Sequence, residues 1–388
     1  MTMKFLRDAK VYNKRVLARV DFNVPLNEKG EIIDDFRIRS TLPTIKWLLK
    51  NGAKVILMSH LGSPKGERLE NLKIDAVQQR LTEYLDLSVV KAPDCVGKEI
   101  EDWTREMGSG EILLLENLRF HKEEEENDLK FAKKLAGLGD IYVNDAFGTS
   151  HRAHASIVGV PKFLPSFAGL LLEKEIKALN KLLKNSQRPL VAVIGGAKVS
   201  TKLKLFKELL NFADHLLLGG VLANTILKAQ GLTVGKSVVE ENMVAEAKKL
   251  ILTGTNFHLP VDVVVSDDIS GKGKIKVKGP ASVEDEELIL DIGPDTLSLF
   301  GEIIKKAKVV FWNGPMGFYE QEEFAQGTIN LAKIITQSGA YSIIGGGDVL
   351  SILDKLGLAE KINHISTGGG AMLAYIAGEK LPGIEALK

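Results

Sequence analysis

An α/β fold built on parallel sheets and divided into two lobes is predicted by three features of the sequence. Short apolar runs bounded by polar or glycine-rich turns recur along the chain, and longer stretches with helical spacing separate them. The third feature is length: at roughly 100–200 residues per domain, 388 residues exceed one compact core. In the first half the strand candidates are VLARVDF (16–22), AKVILMSH (53–60), EILLLENL (111–118) and IYVNDAF (141–147). In the second half they are PLVAVIGG (189–196), HLLLGG (215–220), VDVVVSD (261–267), KVVFWNG (308–314) and YSIIGGG (341–347). Between the halves, SFAGLLLEKEIKALNKLLKNSQRP puts Leu172, Ile176, Leu179 and Leu183 on one helical face, with Glu173 one turn before Lys177. Pro161, Pro165 and Pro189 bracket this stretch, so it reads as a stiff connecting helix with the lobe boundary near residues 165–188.

Composition narrows the function classes. Hydrophobic residues make up 45% and charged residues 26%, with a mean hydropathy of +0.03, so apolar burial can offset chain entropy and a globular protein is expected. Lys plus Arg number 51 against 50 Asp plus Glu, a balance that argues against a surface built to coat a polyanion. Cys95 is the single cysteine, so an intramolecular disulfide is impossible and a cysteine-based zinc cluster cannot be assembled. The N-terminal stretch has no signal-peptide pattern and no run reaches the length of a membrane helix, which points to the cytoplasm. Lys272, Lys274, Lys276 and Lys278 read as protection of an edge strand, and the acidic run 123–126 as a solvated helix start.

In open α/β sheets ligands bind at the carboxyl ends of the strands, so the residues there report on chemistry. First-half strands end in Asp21 and Asn23, His60, Asn117 and Arg119, and Asn144 and Asp145, a set suited to a small polyanion held by side chains. Second-half strands end in glycines, at 195–196, 219–220, 314, 317 and 345–347, where backbone amides can approach a phosphate chain. Gly195-Gly196 is followed by Lys198 and Lys202, spaced i, i+4 at the start of a helix. Asp348 follows the 345–347 run as a Mg2+ ligand carried to a phosphate would, and Ser366–Gly370 adds a third glycine cluster. Gly231–Ser237 is one residue short of a P-loop and follows a helix-like stretch, so it is rejected. No kinase HRD/DFG pair and no GxGxxG after a strand is present.

Taken in order, RVDFNVP (19–25), SHLG (59–62), LLLENLRFHKEEE (113–125), NDAFGTSHRAH (144–154), GGAKVS (195–200), WNGPMG (312–317), GGGD (345–348) and STGGGA (366–371) resemble the phosphoglycerate kinase family along the whole chain. The resemblance implies two Rossmann-like lobes with a cleft between them: a triose-binding lobe over 1–168, a connecting helix over 169–186, a Mg-nucleotide lobe over 187–365, and a tail over 366–388 that returns to the first lobe. It implies that Asp21, Asn23, Arg37, His60, Arg119 and Arg152 hold 3-phosphoglycerate, with Phe22, Leu61, Gly62 and Ser63 in the same segments. On the nucleotide side it implies Lys198 and Lys202 at the phosphates, Asn313 in the phosphate-side loop, Glu320 at the ribose, and Gly219 and Gly220 along the adenine slot. Asp348 would ligate Mg2+, with Gly346, Gly347 and Val349 beside it.

The activity so implied is reversible Mg-dependent phosphoryl transfer between ATP and the carboxylate of 3-phosphoglycerate, in glycolysis, by a monomer that closes on a hinge. That acceptor is ionised at pH 7, so no general base is needed; Arg37 and Lys198, with amides near Gly346, Gly347, Gly369 and Gly370, would neutralise the transferring group. Departures from the family pattern are Ser63 in place of an arginine of the triose patch, Val349 in place of a hydroxyl residue, Thr201, Met372 and Ala374. They predict an active enzyme with altered affinities. A two-lobe anion binder without chemistry leaves Asp348 and the glycine clusters without a role, and a nicotinamide dehydrogenase lacks its fingerprint.

Overall fold

The computed structural model describes residues 3–184, 186–251 and 256–388, apart from the side chains at 199, 201, 203, 250 and 251. Residue 185 of the expected connecting helix and the Thr201 side chain thus lie outside the described residues. The chain forms two compact units, Met1–Lys177 with Glu379–Lys388, and Ala178–Gly378.

In the first unit, β1 (Arg15–Arg19), β2 (Lys54–Met58), β3 (Val89–Lys91), β4 (Ile112–Leu114), β5 (Ile141–Asn144) and β6 (Ser166–Ala168) form a sheet in the order β3-β4-β2-β1-β5-β6. Every pairing is parallel. Strands β1, β2, β4 and β5 are buried over nearly their whole length, which is why their sequences read as continuous apolar runs rather than alternating ones. The edge strands β3 and β6 carry no such run. Val90 of β3 is exposed, and Ser166–Ala168, expected as the start of the connecting helix, is instead a strand. The helix begins at Leu170, where Asp145 Oδ1, just past β5, accepts the amides of Leu171 (2.9 Å) and Leu172 (3.2 Å). The unit division at 177/178 falls inside this helix, Leu170–Leu183.

The C-terminal residues Glu379–Lys388 pack on the first unit. The Gly383 amide donates to the Ser150 carbonyl at 2.8 Å and its own carbonyl accepts from Asn144 Nδ2 at 3.4 Å. A Cβ at Gly383 would stand 2.8 Å from Ile157 Cγ2 and 2.9 Å from Ser150 Cα, so only glycine lets the tail approach this closely.

In the second unit, β7 (Leu190–Ile194), β8 (His215–Leu218), β9 (Phe257–His258), β10 (Val263–Ser266), β11 (Lys276–Lys278), β12 (Leu288–Ile292), β13 (Val309–Asn313), β14 (Tyr341–Gly345) and β15 (His364–Ser366) divide between two sheets. The larger is parallel, in the order β15-β14-β13-β7-β8-β9 among the described residues. The expectation that VDVVVSD belongs with the parallel strands is corrected: β10 pairs antiparallel with β11 and β12 in a separate three-stranded sheet. The link from β10 to β11 is too short for the crossover that a parallel pairing needs. Lys276 and Lys278 do sit on an edge strand, with Lys278 paired to Glu284 and Glu287.

Each sheet has its strand order reversed beside the first strand of its unit, between β1 and β5 and between β7 and β13. Neighbouring strands there send their following loops to opposite faces, leaving room at the carboxyl ends. Replacing Gly383 by Ala is expected to destabilise the first unit by about 1–3 kcal/mol through overpacking, read as a lower urea midpoint with an unchanged slope.

Candidate active site

In the first unit the carboxyl ends of β1 and β2 lead into Asp21–Asn23 and Ser59–Gly62. The loops are tied to one another: the Phe22 amide donates to Ser59 Oγ (2.8 Å) and the Gly62 amide to Asn23 Oδ1 (2.8 Å). Asn117, after β4, holds Leu61 at both ends, accepting its amide at 3.2 Å and donating to its carbonyl at 2.7 Å. Arg119 then reaches Gly62, with Nη1 donating to the carbonyl at 2.7 Å, and pairs with Glu125 at 3.2 Å. Arg37 donates to the Asn23 carbonyl at 2.9 Å and pairs with Asp21 at 3.3 Å, its side chain still about one-third exposed. Asp21, Phe22, Asn23, Arg37, His60, Leu61, Gly62 and Arg119 are thus one constellation. Ser63 and Arg152 are exposed beside it. Arg68, five residues after Ser63, donates to the Pro93 carbonyl at 2.6 Å.

Arg19 was not singled out, although a charge inside an apolar strand is itself a signal. It is fully buried and donates from Nε to Ser156 Oγ (2.8 Å) and from Nη1 to the Val20 carbonyl, and its Nη2 lies 3.3 Å from His60 Nδ1. A guanidinium can only donate, so His60 Nδ1 accepts and the imidazole proton sits on Nε2. Burial, then repulsion from Arg19, Arg119 and Arg37, holds His60 well below its ordinary 6.5. His60 therefore faces a ligand as a neutral donor, not as one of the cations. His154 is likewise held down to about 3 by burial and by Arg119, Arg19 and Arg152.

Glu124 corrects the expectation of a solvated acidic run. It is fully buried, accepting Ser156 N (2.8 Å) and Oγ (2.5 Å), and burial pushes its carboxyl up. The site thus gathers the guanidiniums of Arg19, Arg37, Arg119 and Arg152, with Asp21 paired to Arg37 and Glu125 to Arg119, an arrangement suited to an anion.

The second unit works through backbone. The loops after β7 and β13 cross at the strand-order reversal, where the Gly196 amide donates to the Pro315 carbonyl (2.7 Å) and the Gly195 amide to that of Asn313 (3.0 Å). A Cβ at Gly195 would overlap the Pro315 carbonyl oxygen, and one at Gly220 would lie 2.6 Å from Gly196 N, so side chains are excluded on steric grounds. Helices Gly220–Ala229, Val199–Phe212, Gly347–Lys355 and Gly369–Ile376 all start at strand carboxyl ends, directing their N-terminal amides and dipoles outward. Gly346, at φ +111°, precedes one of them, and Gly369, at φ +32°, opens another.

Lys202 is buried with its Nζ donating to the Gly195 carbonyl; burial draws its ammonium down to about 8, opposed by Asp348. Lys198 is exposed just before the same helix. Asp348, exposed in the first turn of Gly347–Lys355, accepts from the Tyr319 hydroxyl at 3.2 Å. One exposed carboxylate among phosphate-seeking amides fits Mg2+, which binds through one or two carboxylates and completes its shell with water and phosphate oxygens.

A cavity of about 320 Å³ opens next to these groups, with Gly196, Gly220, Met316, Tyr319, Glu320 and Asp348 in its lining and apolar walls from Val221, Val238 and Ile289. Gly219 stays behind the wall, where its missing Cβ makes room for Met316 Sδ. Asn313 spends its side-chain amide on the Gly345 carbonyl (2.8 Å), so it fastens adjacent strand ends. Val349 and Met372 are fully buried, Met372 against Gly345, which gives two of the departures a packing reason. Asp291, also missed, lines the cavity while accepting Ile292 N (2.8 Å) and Gly327 N (2.7 Å).

The chain is similar to known proteins throughout its length. The family model described as "Phosphoglycerate kinase" matches residues 6–379. The phosphoglycerate kinase of Moorella thermoacetica is 50% identical over 386 residues, 98% of each chain. That of Dictyoglomus turgidum is 49% identical over 392 residues, 100% of this chain and 98% of the other. Among solved structures, phosphoglycerate kinase from Coxiella burnetii matches with a TM-score of 0.87 at 40% identity, over 100% of this chain and 99% of that one. Phosphoglycerate kinase from Pyrococcus horikoshii matches with a TM-score of 0.89 at 38% identity, over 99% and 98%.

Burial raises the Asp291 carboxyl from 3.8 to about 7. A group raised in the folded state contributes most below its unfolded value, and that contribution is lost as pH rises through about 7. The stability advantage of the wild type over Asp291→Asn, which cannot ionise, is therefore expected to shrink by more than about 1 kcal/mol between pH 5 and 8, measured by urea unfolding at each pH.

Proposed function

Because the chain belongs to the phosphoglycerate kinase family, and so is a phosphotransferase with a carboxyl group as acceptor, we propose that it moves the γ-phosphoryl group of ATP reversibly to the carboxylate of 3-phosphoglycerate. The observation that carries this reading is the pairing of a side-chain anion site in one unit with a backbone anion site beside a cavity in the other.

Arg37, Arg119 and Arg152, with His60 Nε2–H as a neutral donor and Asn23 in support, would hold the phosphoglycerate. Asp21 would orient Arg37 and Phe22, Leu61 and Gly62 would shape the loops. Ser63 supplies no charge where the family usually has one, so a high KM for phosphoglycerate is part of the proposal. In the second unit the cavity would take the nucleoside, with Gly220 at the base, Gly219 backing the wall behind it, and Glu320 at the ribose. Lys198, Lys202 and the amides at Gly346, Gly347, Val349, Gly369 and Gly370 would meet the phosphates, with Asn313 securing their loop.

The acceptor carboxylate is already ionised and needs no base. Catalysis then rests on alignment and on neutralising the equatorial oxygens of the moving group, for which Arg37 and Lys198 are the candidate cations. Asp348 would hold Mg2+, whose positive charge, when bound, would offset that of the nucleotide phosphates. Since the two substrates are assigned to different units, turnover requires a hinge closure that aligns them and excludes water. The proposal includes glycolytic use in the cytoplasm by a monomer; among the described residues no helix is long and apolar enough to cross a membrane.

A coupled assay of 3-phosphoglycerate-dependent ADP formation tests the reading. Turnover should require Mg2+, and Arg37→Ala should lower kcat/KM by at least about 10-fold, the equivalent of one charge-assisted hydrogen bond. A folded, ADP-binding wild type without turnover would overturn it. Lys202 titrates near pH 8 in the unliganded protein, so ADP affinity measured by calorimetry should fall above pH 8, by no more than roughly 10-fold per pH unit. Lys202→Arg, always charged, should flatten that profile.

A further inference from the structure

Away from the residues used above, Asp94, Cys95 and His121 bring three different ligand types together, one donor atom from each, all within 4.8 Å of one another. Asp94 and Cys95 lie in the segment following β3, whereas His121 closes the turn Leu118–Phe120. His121 Nε2 is 2.6 Å from Asp94 Oδ1, and the Phe131 ring packs against the imidazole at a centroid distance of 5.0 Å, limiting its rotation. Cys95 is buried and its thiol donates to the Glu116 carbonyl at 2.9 Å, while Asp94 and His121 remain partly exposed and give solvent a route to the cluster.

Tetrahedral ligands at 2.0–2.3 Å from a metal stand about 3.3–3.8 Å apart, so these donors need to shift by only about 1 Å. A hydrogen-bonded His–Asp pair by itself would account for His121 and Asp94, but not for the third donor of a different class converging on them. A thiolate, an imidazole and a carboxylate together disfavour Mg2+ and Ca2+, which take oxygen, and favour borderline ions. We propose that Asp94, Cys95 and His121 form a three-ligand site for a thiophilic divalent cation of the Zn2+ class, with water in the fourth position.

Binding replaces the Cys95 Sγ proton by the metal and releases that proton to solvent, one per ion bound at pH 8, where an ordinary imidazole is already neutral. The exclusion drawn from the cysteine count covered clusters of several cysteines and did not reach a mixed site. The ion would tie the segment after β3 to the turn that carries Arg119, whose guanidinium holds the Gly62 carbonyl. It would therefore stiffen one side of the anion site without entering it.

The test uses the full chain without nucleotide, in excess Mg2+ to fill all-oxygen sites, titrated with Co2+ as the probe and then with Zn2+ in competition. The expected result is one Co2+ per chain, a thiolate-to-cobalt charge-transfer band in the near ultraviolet, displacement by Zn2+, and one proton released per Zn2+ in weak buffer. Cys95→Ser should abolish the band, and His121→Asn, which can keep a hydrogen bond to Asp94, should weaken Zn2+ binding by at least about 10-fold. Absence of the sulfur band in the wild type, or Zn2+ affinity unchanged in His121→Asn, overturns the site. Far-ultraviolet circular dichroism and kinase activity in Mg2+ without added Co2+ or Zn2+ monitor folding of both variants, and His121→Asn with proton release decides the matter should Cys95→Ser fail to fold.

Discussion

The close approach of the loops after β7 and β13 is the constraint on which the second unit depends. Strands β7 and β13 are neighbours in the parallel sheet, and just past their carboxyl ends the Gly195 and Gly196 backbone runs against Asn313–Pro315 with no space for a Cβ at Gly195. That contact brings Gly220, the Met316 loop and the Lys202 ammonium around one cavity. A side chain at Gly195 would separate the loops, and the helix N-termini that depend on their positions would lose a common focus.

The first unit solves the opposite problem. Its anion site is made of long, charged side chains, which need fixing in place if they are to act together, and the fixing is done by uncharged or fully buried partners. Asn117 locks the loop of His60–Gly62, Arg19 sets the tautomer of His60, and Ser156 joins Arg19 to the buried Glu124. The guanidiniums keep nearby imidazoles neutral, so proton uptake near neutral pH does not add charge at His60. The two proposed anion sites would thus work by different physics: flexible cations braced by a network in one unit, rigid dipoles in the other.

The departures from the family pattern fall into two groups once packing is visible. Val349 and Met372 are interior residues whose side chains fill core space next to Gly345, and their replacement leaves backbone amides available. Ser63 is different, because it is exposed beside the arginines and neither Lys65 nor Arg68 takes up its role: Arg68 is turned to Pro93, and Lys65 is exposed in a turn at φ +56°. The affinity change proposed above would therefore fall on the phosphoglycerate side.

The sequence by itself determined the fold class, the two-part organisation and the family, because continuously buried strands must be apolar and loops that crowd must be glycine, and both leave marks in one dimension. Asp21, His60 and Arg119 were legible for the same reason, since they stand at the ends of apolar runs, whereas Arg37 was marked only by the family resemblance. Tertiary structure alone decided what depends on pairing between distant segments. The edge strands β3, β6, β9 and β15 are too short to show a pattern, and β10 carries an apolar run identical in kind to a parallel strand, yet it pairs antiparallel with β11 and β12. Arg19, Asp291 and Glu124 look like ordinary charges until burial and partners are known, and Asp94–Cys95 meets His121 only because two loops fold together. Protonation states follow the same division, since burial and neighbouring charge, which set them, are properties of the folded chain.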